Sequence, residues 1–165
     1  NNSGLLGDVE PLATQKPEDS SYIVDVNIKG VIYCLHYQID AMLKYASAEN
    51  PCSIVNNSSI LSHAAYPGLT VYSATKHAVS GLTKGAALEL AESNIRVNAV
   101  GPGPIRTPML EVPTDGHPEQ FGGMVPMKRI GEPKEISDAV QWLLSTESSY
   151  VTGHTLMIDG GFCSQ

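Results

Sequence analysis

The sequence predicts an α/β fold built on a parallel sheet. Three short strand-like runs, at residues 52–58, 95–100 and 155–159, are separated by stretches whose apolar residues recur every three or four positions. Each run ends in Gly, Pro, Asn or Ser, as a strand does where it passes into a loop. Strand, helix and strand in alternation require right-handed crossovers, and hence parallel strands.

The elements follow in order. From Pro17 to about Leu43, Ile28, Ile32, Leu35, Ile39 and Met42 form a helical stripe, with Glu18 and Asp19 placed to favour a helix start. Asn27 lies near its middle, and Gly30 would allow another backbone to approach closely. Ala46 to Pro51 reads as a polar turn. Cys52 to Ser58 is partly β-branched and bounded by turn residues, so it reads as a central strand with Ser59 at its carboxyl end. Binding and catalytic groups gather at such ends in open α/β sheets. Pro67-Gly68 breaks the loop, and Thr70 is read as the cap of a helix to about Ser93, with Ala74, Ala78, Leu82 and Ala86 along one side. Ile95, Val97 and Ala99 alternate with Arg96 and Asn98, giving a strand that stops at Gly101-Pro102-Gly103-Pro104. Met109 to Met127 shows no clear period. Ile136, Ala139, Val140, Leu143 and Leu144 mark a helix from Pro133 to about Ser145, and Thr155 to Asp159 forms the last strand.

With 165 residues, 42% hydrophobic and 16% charged, the chain can bury one core. Ten basic against seventeen acidic side chains give a net charge of −7, which argues against nucleic acid or an anionic membrane as partner. No apolar run approaches the roughly eighteen residues that span a bilayer. Cys34, Cys52 and Cys163 form no Cys-x-x-Cys pair, which suggests neither a zinc site nor a disulfide framework and fits the cytoplasm. The five histidines have no metal-ligand spacing.

The chemistry is carried by Tyr72-Ser73-Ala74-Thr75-Lys76, with Ser59 thirteen residues upstream of the tyrosine. On a helix, Tyr72 and Lys76 lie one turn apart on one face, so the ammonium would sit beside the phenol and favour its ionised form. A serine hydroxyl nearby would hold a reacting oxygen as its charge changes. The Tyr-x-x-x-Lys pair alone is weak, being equally a helix-surface pair. Its company gives it weight: Asn1-Asn2-Ser3-Gly4 opens the chain, and Asn27, Pro102-Gly103-Pro104-Ile105-Arg106-Thr107 and Ile158-Asp159-Gly160-Gly161 follow in order.

On these five signals the sequence resembles the short-chain dehydrogenase/reductase family from Asn1 to about Phe162. The resemblance implies a Rossmann-like, doubly wound parallel sheet of which residues 1–165 supply the later half, the catalytic and substrate-binding portion. The family's opening strand and glycine-rich turn have no counterpart, since no Gly-x-x-x-Gly-x-Gly occurs in the chain. It also implies hydride transfer between NAD or NADP and a small-molecule carbonyl or secondary alcohol. Tyr72 would be the acid or base, Lys76 would lower its pKa and hold the cofactor ribose, and Ser59 would position the substrate oxygen. Asn27 would hold a water leading from the lysine to solvent. Asn2 and Gly4 would lie beside the adenosine, with Pro102 and Gly103 forming the nicotinamide wall. Ile105, through its backbone, and Thr107, through its hydroxyl, would bind the carboxamide. Family analogy further implies a homodimer or homotetramer joined through the two long helices. The alternative is a cofactor-free relative acting as a binding or scaffold protein, or as an isomerase or dehydratase reusing Ser59 and Tyr72.

Overall fold

The computed structural model describes residues 1–165, the side chain of Pro113 excepted. Strands β1 (Cys52–Asn57), β2 (Ile95–Pro102) and β3 (Thr155–Ile158) form one parallel sheet in the order β1-β2-β3. The register runs from Cys52 opposite Ile95 to Asn57 opposite Val100, then from Ala99 opposite Thr155 to Pro102 opposite Ile158. The alternating side chains of a strand sort this sheet into two apolar faces. On one, Ile54, Ile95 and Val97 pack with Val31, Leu35, Val79, Ala87 and Leu90. On the other, Val55 and Val100 pack with Leu143. The helical residues belong to α2 (Gly30–Met42) and α3 (Thr70–Leu90) on the first side and α5 (Pro133–Leu144) on the second, while α1 (Pro17–Val24) packs against α3.

The expected long first helix is present but not uniform. A π turn, Asp25–Lys29, joins α1 to α2 and closes with the Gly30 N–H donating to Asp25 C=O. The added residue shifts the register, so Ile23, Val31 and Leu35 are buried while Ile32, part of the predicted stripe, is 41% exposed. Gly30 makes no close approach to another element; a Cβ there would meet only Asp25 C=O, at 3.9 Å.

The other boundaries shift for local reasons. Thr70 is the first helical residue of α3 rather than its cap, and Leu69 C=O instead accepts both the Ser73 N–H and the Ser73 hydroxyl. β2 continues through Gly101 and Pro102 because both pair with β3. Successive strand residues alternate hydrogen-bonding sides, so Pro102 lacks its donor on the side where β1 has already ended, and the Gly103 N–H supplies the next bond to Ile158 C=O. The aperiodic stretch resolves into the short α4 (Pro108–Glu111) and turns of 3-10 helix, each too short to show a period. α5 opens with a capping box in which Glu132 and Glu135 satisfy each other's backbone N–H.

The edge of β1 away from β2 is met by Asn1. Its backbone nitrogen donates to Val55 C=O (2.8 Å) and its C=O accepts the Asn57 N–H (2.8 Å), one rung of a parallel ladder. The Asn1 side chain is clamped by a reciprocal amide pair with Gln38 and by Asn56 Oδ1. Asn56 passes the chain of bonds on to Thr83 of α3. Among the described residues no helix is long and apolar enough to cross a membrane.

Candidate active site

The carboxyl ends of β1 and β2, the Asn1–Gly4 segment, the π turn and the first turns of α3 meet at one end of the sheet. Helical spacing carries Tyr72 and Lys76 there together, with the Lys76 Nζ 5.5 Å from the centroid of the Tyr72 ring. Both are buried, Lys76 to 4% exposure. The ammonium donates to Asn57 C=O (2.9 Å), its one hydrogen bond among the described residues, which leaves two N–H groups uncommitted. Burial pushes its pKa down to about 8. Burial also pushes the Tyr72 phenol up, opposed more weakly by the nearby Ser59 hydroxyl. The sequence reading expected a phenol made acidic by its neighbour. Here desolvation outweighs the other influences on it, and the phenol is protonated at neutral pH.

Ser59 sits where β1 turns into a single 3-10 turn, Ile60–Ser62, and caps it. Its Oγ accepts the Leu61 N–H at 3.1 Å, leaving its own proton free to point elsewhere. Adjacent Ser58 is structural: its hydroxyl donates to Lys76 C=O and lies 3.2 Å from Ser80 Oγ, which in turn reaches Thr155 of β3.

Asn27 is no helix-surface amide, being 1% exposed. Its Oδ1 accepts the Leu5 N–H (2.7 Å), and its Nδ2 donates to Leu5 C=O (2.8 Å) and Thr75 Oγ1 (3.1 Å). The amide therefore ties the π turn to the opening segment and to α3. Gly4 lies over this junction. A Cβ built on it would stand 3.5 Å from both Asn27 Oδ1 and Lys76 Nζ, so the two polar atoms share the space that a side chain would fill. Gly4 thus sits at the lysine. Asn2 is exposed and accepts from Asn57 Nδ2 at 2.6 Å.

After β2, Ile105 forms an isolated parallel bridge with Gly131, made by the Gly131 N–H to Pro104 C=O and the Arg106 N–H to Gly131 C=O. That pattern turns the Ile105 N–H away from the bridge, and it has no partner among the described residues. The Thr107 hydroxyl donates to Ile105 C=O at 3.3 Å. Gly103 has a packing reason of its own, since a Cβ there would stand 2.9 Å from Asp159 Cα. Asp159 is structural too, its carboxylate accepting the Gly161 and Cys163 N–H groups. His77 Nδ1 lies 2.9 Å from Ser73 C=O within α3, consistent with a packing role. No cluster of metal ligands occurs among the described residues. A cavity of about 330 Å³ is lined by Ile105, Val125, Met127, Arg129 and Met157; Ser59, Tyr72 and Lys76 do not line it.

Sequence reasoning missed Asn57, whose C=O holds Lys76 and whose Oδ1 is buried without a partner, and Thr75, which receives Asn27. Thr75 sat in plain view within the Tyr-x-x-x-Lys motif. Asn57 carried no signal, because its contact with Lys76 is made by backbone.

An ammonium with two uncommitted N–H groups, a free backbone N–H and an orphaned amide oxygen at the ends of parallel strands fit a polar, hydroxyl-bearing ligand such as a nicotinamide nucleotide. The fold and this Ser, Tyr and Lys set define the class as a doubly wound α/β protein built for chemistry at the carboxyl ends of its strands. Residues 1–163 match the sequence profile of the family described as "Enoyl-(Acyl carrier protein) reductase". Cyclohexanol dehydrogenase of Acinetobacter sp. is 37% identical over 165 residues, all of this chain and 63% of that protein. The 3-oxoacyl-[acyl-carrier-protein] reductase of Thermotoga maritima is 42% identical over 161 residues, 98% of this chain and 63% of that protein. Among solved structures, ElxO with NADP bound superposes with a TM-score of 0.91 at 35% identity, covering all of this chain and 66% of that one. The 3-ketoacyl-(acyl-carrier-protein) reductase from Brucella melitensis complexed with NADH gives 0.91 at 32% identity, covering 98% and 65%. The chain belongs to the short-chain dehydrogenase/reductase family. It spans 63% of the length of these curated relatives.

Proposed function

We propose that this chain is the catalytic portion, residues 1–165, of an NAD- or NADP-dependent oxidoreductase acting on a small carbonyl or secondary alcohol. The carrying observation is the convergence of Ser59, Tyr72 and Lys76, with the serine proton and two lysine N–H groups uncommitted. A bound nicotinamide would supply or accept the hydride. Lys76 and the Ile105 N–H would hold its ribose and carboxamide, with Thr107, Pro102, Gly103, Asn2 and Gly4 completing the surface. The Tyr72 phenol, protonated at neutral pH, donates to a carbonyl oxygen as charge develops on it. Ser59 donates a second hydrogen bond to the same oxygen. Asn27 Oδ1 and Lys76 Nζ, both facing Gly4, fit a solvent-linked route by which the tyrosine regains its proton. The names of the relatives, one a cyclohexanol dehydrogenase and one a 3-oxoacyl reductase, support a substrate that is a ketone or its alcohol.

Cytoplasmic location and a homodimer or homotetramer complete the reading. Tyr22, Tyr33 and Tyr37 on α1 and α2 and Leu88 on α3 are exposed, which suits association through those helices. The test is Tyr72→Phe in the full reading frame, assayed with cyclohexanol and with a 3-oxoacyl thioester against both cofactors. Turnover should be lost with the melting temperature unchanged; near-normal turnover would reject the assignment. A cofactor-free binding protein would instead show no NADH or NADPH binding by titration calorimetry.

A further inference from the structure

We propose that Ser62 is a positioning residue for Ser59, and that His63 holds it in place as a fixed Nδ1–H tautomer. The inference rests on the reading of Ser59 as the group that holds the substrate oxygen. The Ser59 C=O accepts two bonds from one residue, the Ser62 N–H at 3.0 Å and the Ser62 hydroxyl at 2.7 Å. Together they fix the peptide after Ser59. That peptide leads to the Leu61 N–H, which donates to Ser59 Oγ and so selects the rotamer in which the serine proton is free.

Counting protons settles the histidine. Ser62 Oγ lies 3.0 Å from His63 Nδ1, and its single proton is committed to the Ser59 carbonyl, which has none to give. The contact is a hydrogen bond only if His63 Nδ1 carries the proton and the hydroxyl accepts it. Ser62 is buried, whereas His63 is exposed. The bonds therefore run from a surface imidazole, through a buried hydroxyl, to the backbone of Ser59. An exposed histidine with no structural task has no reason to keep this tautomer, so its selection is the mark of the arrangement.

Two measurements test the proposal. Long-range ¹H–¹⁵N correlation of the imidazole nitrogens should show neutral His63 protonated at Nδ1 in the wild type, with loss of that preference in Ser62→Ala; an Nε2–H tautomer in the wild type overturns it. In steady-state assays, Ser62→Ala should lower kcat for the ketone about tenfold, equivalent to about 1.4 kcal/mol, with KM for the nicotinamide cofactor unchanged. On a Ser59→Ala background the same change should cost no further activity. Ser62→Thr should recover most of the loss. Should Ser62→Ala fold poorly, His63→Phe should reproduce the effect in weaker form and His63→Asn, which keeps a donor near the Nδ1 position, should reverse it. A tenfold fall that persists without Ser59, or a Ser62→Ala enzyme within twofold of wild type, overturns the proposal. If Tyr72→Phe is inactive and Ser59→Ala impaired while Ser62→Ala is normal, this inference alone fails. If Tyr72→Phe stays active, the hydride-transfer reading fails whatever His63 shows.

Discussion

Replacing Lys76 by methionine should stabilise the fold while destroying the site. Burial takes the lysine from its ordinary 10.5 to about 8. At about 1.4 kcal/mol per unit, keeping the ammonium charged in the folded state costs on the order of 3 kcal/mol. Methionine fills similar space without a charge, but it leaves Asn57 C=O without its donor, a loss of about 1 kcal/mol. The net gain at pH 7 is therefore about 2 kcal/mol, readable as a higher urea midpoint at equal slope. The sign of the pH dependence is fixed by the direction of the shift. Because the folded state releases its proton near pH 8 and the unfolded state near 10.5, wild-type stability relative to the variant is flat below 8. It climbs between these values, until the penalty is gone. A Lys76→Met variant less stable than wild type at pH 7, or a gap unchanged at pH 11, would refute the reasoning.

Three further outcomes are expected. Because burial raises the Tyr72 pKa, the phenol form persists to high pH, so kcat/KM for alcohol oxidation should climb with pH into the alkaline range while carbonyl reduction declines there; pH profiles in both directions check this, and an oxidation rate falling with pH contradicts it. Asn27→Ala orphans the Leu5 N–H and C=O at the buried junction and should lower stability by roughly 3 kcal/mol in urea unfolding, with loss of less than about 1 kcal/mol counting against the clamp. Gly4→Ala meets no steric bar at 3.5 Å and should melt as wild type does, yet lower kcat severalfold by placing a methyl group between Asn27 and Lys76; unchanged turnover would show that this space is not used.

The alternation of strands and helices was legible because each element is long enough to show its period, and because Gly, Pro and Asn punctuate the ends. The Ser59, Tyr72 and Lys76 set was legible for a related reason, since a helical turn fixes the last two relative to each other whatever surrounds them. Electrostatics was not. A sequence shows that an ammonium neighbours a phenol, but the outcome depends on how much water each has lost, and that is set by Leu6, Asn57 and the rest of the packed site. The register slip at Asp25–Lys29 was equally hidden, because no residue type marks a π turn, and so the stripe was drawn through Ile32 when burial falls on Val31. Backbone contributions, such as Asn57 C=O to the lysine, leave no trace in side-chain identity.

The widened turn between α1 and α2 works as an angular offset. Adding one residue to a helix rotates everything beyond it by about 100°. α1 can therefore pack against α3 and α2 against the sheet while Asn27, at the seam, aims its amide at Leu5 and Thr75. Deleting a single residue from this seam would restore an unbroken spiral and swing either the amide or the apolar flank out of place. The aim of the asparagine is thus set by chain length as much as by its own chemistry, and no point substitution at position 27 could reproduce that error.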